Sequence, residues 1–359
     1  MAGVLRQMEA GGYELVVHGY DRTTGLRAII AVHETTLGPS LGGIRMRVYP
    51  SEEDALIDVL RLAEAMTYKA ALAGLNLGGG KAVVLGDVPA GQRAARFQAL
   101  GRMIERLGGA YIATEDMGTA TADLVHVRAA TRHAVGLPES AGGGGDPSPT
   151  TAWGVLHGMR AALAAVGESE SLAGRRVAVQ GVGKVGLALV GFLRDAGAEV
   201  LVADPDVQRV TRAVEQHGAR AVDLEGILFQ SVDVLAPCAA GAILSEQTIP
   251  RLQCRIVAGG ANNQLATDAD GDRLRARGIL YAPDFAVNAG GLIHVADELD
   301  PRGHSVARAR AKTEEIHETL SRIFAESRAT AVAPAKIALR LARQRLAPPP
   351  LDGARAVPS

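Results

Sequence analysis

Residues 175–186 read RRVAVQGVGKVG. Positions 175–180 form a near-continuous apolar run suited to a buried strand, and 184–196 carry apolar residues at helical spacing. Gly181, Gly183 and Gly186 lie at the turn between them. In that context the first glycine permits a tight turn, the second lets backbone approach a pyrophosphate, and the third allows close helix–strand packing. Lys184 and Val185 open the helix, whose N-terminal dipole favours phosphate charge. The next strand, 199–203 (EVLVA), leads to Asp204, 23 residues beyond Gly181. A carboxylate there would bond ribose hydroxyls and repel a 2′-phosphate, which predicts NAD rather than NADP, although Arg209 nearby pulls the other way.

Further short apolar strands follow at 232–235, 255–258 and 279–281, separated by helical or irregular segments. This alternation predicts a doubly wound parallel sheet. On the N-terminal side, 141–150 (AGGGGDPSPT) reads as an irregular linker, glycine being too free and proline too restricted for regular structure. Before it lie expected strands at 13–18, 26–33, 81–85 and 110–114, and expected helices from Ser51, at 91–107 and at 119–133. Ser51 with Asp54 resembles a capping box, Asp replacing the usual Glu or Gln. A long helix is expected at 304–328, a second at 334–346, and a disordered tail after them. The division expected is 1–140 as a substrate and oligomerisation domain, 141–150 as a hinge, 151–330 as the dinucleotide domain, and 331–359 as a returning helix with its tail.

Composition narrows the class. A length of 359 residues suits two domains. Thirty-eight basic and 39 acidic residues leave a net charge of −1, which argues against nucleic acid or an anionic membrane as partner. No run of ~20 apolar residues marks a membrane span. The N-terminus lacks the apolar centre of a signal peptide, so a cytoplasmic location is expected. Cys238 and Cys254 make no metal-type or redox-type spacing, so no metal is expected. Glycine is plentiful, 43 residues against a usual share of ~7%, and it is clustered. Clusters mark places where backbone meets a ligand or turns sharply.

Two lysines sit on such frames. Lys69 follows Met66 by three and continues the apolar stripe of its helix, where a lysine is costly unless it meets an anion. Lys81 follows Gly78-Gly79-Gly80 and opens an apolar strand. Asp116 comes at the end of the strand YIAT, a usual place for functional residues in α/β proteins. Singly, these could be a snorkelling lysine, a surface lysine and a helix cap.

Together they occur in an order that resembles the leucine/phenylalanine/valine dehydrogenases of the amino-acid dehydrogenase superfamily. The segments carrying the resemblance are TTLGPSLGGIRM (35–46), AMTYKAALAGLNLGGGKAVVLGD (65–87), YIATEDMGT (111–119), GDPSPTTAWGV (145–155), VAVQGVGKVG (177–186), APCAAGAIL (236–244), GGANNQL (259–265) and YAPDFAVNAGGLIHVADEL (281–299). The resemblance implies an N-terminal α/β domain for substrate and oligomerisation, then a Rossmann-type dinucleotide domain, with C-terminal helices packing back on the first. It implies Lys69 on the substrate α-carboxylate, helped by backbone at Gly42 and Gly43. Lys81 would be the catalytic lysine and Asp116 the proton-transferring carboxylate. Asn262 and Asn288 would orient cofactor and substrate, with Thr151 and Ala239 beside the cofactor. Products would be a 2-oxo acid and ammonia, and the assembly a dimer or a set of dimers.

The same resemblance places Leu41, Thr114, Leu292 and Val295 around the substrate side chain. Glutamate-specific relatives carry lysine and serine at the positions of Leu41 and Val295; here both are apolar, so a glutamate carboxylate would stand unpaired at a cost of several kcal/mol. Thr114 and Leu292 are bulkier than in leucine- and phenylalanine-type relatives, which predicts a small pocket for valine, leucine or isoleucine. Two alternatives stand beside this: an aromatic amino-acid dehydrogenase, and a catalytically silent NAD-binding sensor. His294, where leucine-type relatives have asparagine, is expected to support the core rather than act in chemistry.

Overall fold

The computed structural model describes residues 3–347, and the expected disordered tail lies outside them. Two sheets organise the chain. The first has the order β1-β2-β4-β3-β5, from β1 (Leu15–Asp21), β2 (Leu26–Glu34), β3 (Ser40–Arg47), β4 (Gly78–Leu85) and β5 (Tyr111–Glu115). β1, β2 and β4 pair antiparallel, whereas β3 runs parallel to both β4 and β5. A short helix α1 (Val4–Gly11) precedes it, and α2 (Glu52–Leu72), α3 (Ala90–Glu105) and α4 (Thr121–Arg128) cover it. Ser51 caps α2 as expected: its hydroxyl oxygen accepts from the Asp54 amide at 3.1 Å. The Asp54 carboxylate in turn takes the Ser51 hydroxyl at 2.7 Å instead of reaching the cap's backbone.

The second sheet is wholly parallel, in the order β11-β10-β9-β6-β7-β8. Its strands are β6 (Arg176–Gln180), β7 (Glu199–Ala203), β8 (Arg220–Ala221), β9 (Val232–Pro237), β10 (Cys254–Val257) and β11 (Leu280–Tyr281). Its helices begin with α5 (Ser148–Ala165), α6 (Lys184–Asp195), α7 (Val207–His217), α8 (Ala269–Ala276), α9 (Asp284–Val287) and α10 (Gly290–Ala296). The strand order reverses between β6 and β9, and ligands of such sheets bind beyond the strand ends at that point. The mixed and the parallel sheet make the two-domain α/β class expected from the pattern.

Three expected elements need correction, and one strand was not expected. Residues 40–47, for which the pattern predicts no element, form the strand β3, with Gly42 and Gly43 at its centre. The segment 141–150 is not irregular throughout: Glu139–Ala141 form a 3₁₀ turn, and Ser148 opens α5 with Pro149 in its first turn, where a missing N–H costs nothing. The expected single helix 304–328 is two, α11 (Val306–Glu314) and α12 (Ile316–Thr330). Their junction seats against Gly154 of α5, where a Cβ would lie 2.8 Å from Ile316 and 3.1 Å from Thr313. The expected helix 119–133 is also shorter, ending at Arg128.

The chain then returns. α13 (Pro334–Leu346) lies along α2 of the first sheet's layer, with Arg345 donating to the Ala71 carbonyl at 2.7 Å and Arg343 reaching the Tyr68 hydroxyl at 3.4 Å. Glu298, just past α10, accepts from the amides of Gly136 and Gly144 at 2.9 and 2.8 Å, which fastens the connecting segment at two points.

Candidate functional site: two lysines in the cleft between the sheets

The Gly78–Gly80 run sets the depth of Lys81. A Cβ on Gly79 would strike the Thr67 backbone of α2 and lie 2.5 Å from the Ala63 carbonyl, and one on Gly80 would lie 2.7 Å from the Ser40 hydroxyl. Without side chains, β4 sinks between α2 and its neighbouring strands, and Lys81 is carried in with it, 5% exposed. Its ammonium meets the Asp116 carboxylate at 3.1 Å. Asp116 is held by the turn after β5, where its amide donates to the Thr119 hydroxyl at 3.0 Å. Gly43 of β3 faces this pair: a Cβ there would lie 2.6 Å from the Asp116 Cβ and 3.1 Å from the Lys81 Nζ. Gly42 instead packs on the Gly80 carbonyl, and its own carbonyl takes the buried Tyr111 hydroxyl at 2.7 Å.

Lys69, in the last turn of α2, crosses the cleft. Its ammonium donates to the Asn262 Oδ1 at 3.1 Å, and that oxygen also accepts from the Asn288 amide at 2.8 Å. A side chain of the first layer is thus tied to two loops of the second. Lys69 is half-buried, between α2 and the loop that carries Asn262. Loss of hydration pulls its pKa down to about 8, with the nearby Lys81 charge adding to that and the Asp284 and Asp116 carboxylates opposing it. Burial also lowers Lys81, against the pull of Asp116. At Asp116 the balance reverses: burial would raise the carboxyl, but Lys81 and Arg45 together hold it below its ordinary value.

Arg45 was not singled out from sequence. It lies on β3, its side chain only 13% exposed, and its Nε donates to Asp116 at 2.8 Å. A signal was available. Asp58 stands one helical turn after the buried Ala55 on α2, and a carboxylate on that edge needs a cation.

Beside the lysines lies an apolar cluster of Leu41, Ala70, Leu77, Ile112, Val135, Leu292 and Val295. It contains three of the four expected pocket residues. Thr114 completes the set, because a Cβ on Gly136 would lie 2.5 Å from the Thr114 hydroxyl and 3.8 Å from Val295. That hydroxyl is buried and without a hydrogen-bond partner, as is the Asn288 Oδ1. The wall formed by α10 is fixed from behind: His294 is buried between the Thr150 hydroxyl (2.9 Å) and the Gly144 carbonyl (3.0 Å).

The glycine loop lies at the strand reversal. Gly181 has φ +91°, and a Cβ there would lie 3.0 Å from the Ala239 amide nitrogen beyond β9. Gly186 packs on the Gly181 carbonyl. Gly183 is open: its Cβ position has only the tip of Arg209, at 3.8 Å, within reach. Asp204 sits behind the loop, accepting from the Val182 and Asp206 amides at 2.9 Å each. Arg209 is engaged by carboxylates, 3.9 Å from Asp204 and 3.2 Å from Asp206. Val185 faces the 259–265 segment, where a Cβ on Gly260 would lie 2.8 Å from its methyl. Thr151 is buried at the start of α5 beside Gly291, but the Lys184 side chain points to solvent, 73% exposed. Both cysteines are free, and burial pushes each thiol up to about 11. Among the described residues no helix is long and apolar enough to cross a membrane, and no group of three His, Cys, Asp or Glu is placed to hold a metal.

Comparison with known proteins shows the family expected from the motifs. Residues 15–133 match the family model described as Glu/Leu/Phe/Val dehydrogenase, dimerisation domain, and 201–344 match Glutamate/Leucine/Phenylalanine/Valine dehydrogenase. A leucine dehydrogenase of Geobacillus stearothermophilus is 46% identical, over 96% of this chain and 93% of its own. A phenylalanine dehydrogenase of Thermoactinomyces intermedius and a valine dehydrogenase of Streptomyces virginiae are each 43% identical over 96% of this chain, covering 94% and 97% of theirs. The crystal structure of L-tryptophan dehydrogenase from Nostoc punctiforme superposes with a TM-score of 0.84 at 36% identity, over 96% of this chain and 98% of that one. The chain therefore belongs to the Glu/Leu/Phe/Val dehydrogenase family and is an amino-acid dehydrogenase, an oxidoreductase acting on CH–NH₂ donors.

Proposed function

We propose that this enzyme catalyses the reversible NAD-dependent oxidative deamination of a branched-chain aliphatic L-amino acid, giving the 2-oxo acid and ammonia. The observation that carries the reading is the Lys81–Asp116 pair, 3.1 Å apart, beside Lys69 and next to an apolar cluster that includes Leu41, Leu292 and Val295. Lys69 is assigned to the substrate α-carboxylate, a negative partner that offsets the cost of its charge in the cleft. Backbone at Gly43 lines the same place, where a side chain would meet Asp116 and Lys81, and Gly42 beside it packs closely on β4.

Lys81, with its ammonium disfavoured by burial, is suited to take a proton from the water that adds to the imine carbon. Asp116, held as a carboxylate by two cations, is suited to carry the proton of the substrate amine. A nicotinamide dinucleotide, when bound, would supply the acceptor for the Cα hydride. Its pyrophosphate fits the open backbone at Gly183 and the N-terminus of α6, with Lys184 and Val185 contributing amides rather than side chains. Ala239, Thr151, Asn262 and Asn288 are assigned to the side of the cofactor, and Asn288 is tied to Asn262 by its side-chain amide.

NAD is favoured over NADP because Asp204 at the end of β7 places a negative charge behind the glycine loop, which opposes a 2′-phosphate, and Arg209 is already engaged by Asp204 and Asp206. The 141–150 segment serves as the hinge between a domain of 1–140 and one of 151–330, with closure excluding water from the cleft. The enzyme is proposed to work as a homo-oligomer, in keeping with the dimerisation description of the 15–133 match.

Branched aliphatic substrates follow from the pocket. It offers no cation for a side-chain carboxylate, and Thr114 and Leu292 restrict its size. One methylene is worth only ~1–3 kcal/mol, so discrimination within the branched set is modest. The test is kcat/KM across valine, leucine, isoleucine, phenylalanine, tryptophan and glutamate with each cofactor. Aliphatic substrates with NAD are expected to lead. A higher kcat/KM for phenylalanine than for valine would sink the pocket reading, and a preference for NADP would sink the role given to Asp204.

A further inference from the structure

Arg45 takes no step in the reaction as proposed, yet its side chain makes three hydrogen bonds at the site. Its Nε donates to the same Asp116 oxygen that Lys81 approaches, at 2.8 Å against 3.1 Å. Its Nη1 turns away to Asp58 on α2, 3.1 and 3.3 Å from the two carboxylate oxygens. Asp58 is itself 12% exposed and also accepts from the Tyr49 hydroxyl at 2.9 Å and from Arg61 at 3.3 Å. The charges therefore alternate along one buried line: Lys81, Asp116, Arg45, Asp58.

The alternation matters because one member must change its charge. When Lys81 gives up its proton, Asp116 loses one of its two cations. A guanidinium cannot deprotonate in a protein, so Arg45 stays charged through that step. We propose that Arg45 is a positioning residue for the deamination: it holds the Asp116 carboxylate beside Lys81 while the lysine is neutral, and Asp58 holds Arg45. The proposal rests on the assignment of Lys81 and Asp116 to the chemistry.

Other charged or titratable groups bear on the line. Lys69 and Arg61 face it from α2, Tyr49 from the end of β3 and Tyr111 from β5, and Asp284 acts from α9 through Lys69. All of them remain when Arg45 or Asp58 is changed. Removing Arg45 takes a positive charge from the neighbourhood of Lys81, which favours its ammonium. Removing the charge of Asp58 does the reverse, because Arg45 is then less compensated. The two variants should move the pH dependence in opposite directions, a result that a merely structural tie between β3 and α2 would not give.

The experiment measures kcat and KM for leucine deamination against pH in the parent, Arg45→Gln, Arg45→Lys and Asp58→Asn, with melting temperatures alongside. Leucine's own amine titrates identically in all four, so differences belong to the enzyme. Arg45→Gln should lose ~10–100-fold in kcat, with KM for NAD unchanged. The limb on which activity rises with pH should move up by about one unit. Arg45→Lys should recover the limb and part of kcat, and Asp58→Asn should move the limb down. A folded Arg45→Gln with parental kcat and limb overturns the proposal, as does an Asp58→Asn limb that stays in place or moves up. If Arg45→Gln does not fold, the direction of the Asp58→Asn shift decides. A parent with no activity on any amino acid would instead remove the assignment beneath the proposal.

Discussion

The chain contains two Gly-Lys steps, Gly80–Lys81 within β4 and Gly183–Lys184 at the start of α6, and they have opposite fates. Around Gly80 the space of a missing side chain is filled by protein, the Ser40 hydroxyl and the Tyr111 ring among it. Around Gly183 that space is open but for the end of Arg209. The Lys81 side chain is 6% exposed and paired with Asp116, whereas Lys184 is 73% exposed, with its ammonium 3.7 Å from Asp146. One glycine run brings protein together to bury a lysine; the other leaves backbone bare. Residue type alone does not separate these uses. What separates them is whether the next layer of protein has come in.

The largest expected difference is between the two lysines. Lys81→Ala should lower kcat by ~10²–10⁴, the usual contribution of a general base, while dinucleotide binding persists. Lys184→Ala should change kcat and both KM values by less than about threefold, because an exposed side chain contributes little. Equal losses in the two variants would break the contrast.

The glycines come next. Gly79→Ala drives a methyl into the Thr67 backbone and should cost ~1–3 kcal/mol of stability or more in chemical denaturation. Gly183→Ala has room and an ordinary backbone, φ −66°. Its stability should stay within ~0.5 kcal/mol of the parent. Its KM for NAD should nevertheless rise, by roughly tenfold if the methyl costs one good phosphate contact of ~1.5 kcal/mol. Unchanged KM in that variant would mean that the cofactor lies elsewhere.

A smaller effect concerns the third lysine. Free Lys69 has a pKa of about 8, so at pH 8.5 it is largely neutral. A bound carboxylate favours its ammonium, so binding should take up a proton. Titrating the enzyme with 4-methylpentanoate in weak buffer at pH 8.5 should show that uptake, and Lys69→Met should abolish it. Proton release in the parent would contradict the assignment.

Much of this was legible in the sequence, for stated reasons. The apolar run before Gly181 and the helical spacing after Lys184 could hardly be anything but a strand, a turn and a helix. Lys69 was visible as a cation on an apolar stripe. β3 was not, because Leu41-Gly42-Gly43-Ile44 has two residues of low strand propensity at its centre, and only pairing on both sides by β4 and β5 makes them extended. Arg45 was hidden with it. The start of α5 is hidden because proline, a breaker in a helix interior, stands in its first turn. The partners of Glu298 and His294 lie some 150 residues away in sequence, a separation that no local pattern encodes.

The most direct test of the central claim is to mix the enzyme with NAD and L-leucine and follow NADH and ammonia together. The account predicts that both appear, in a one-to-one ratio, and that the reverse reaction consumes ammonia and NADH with the 2-oxo acid. NADH without ammonia, or NAD binding with no turnover of leucine, valine or isoleucine, would contradict it.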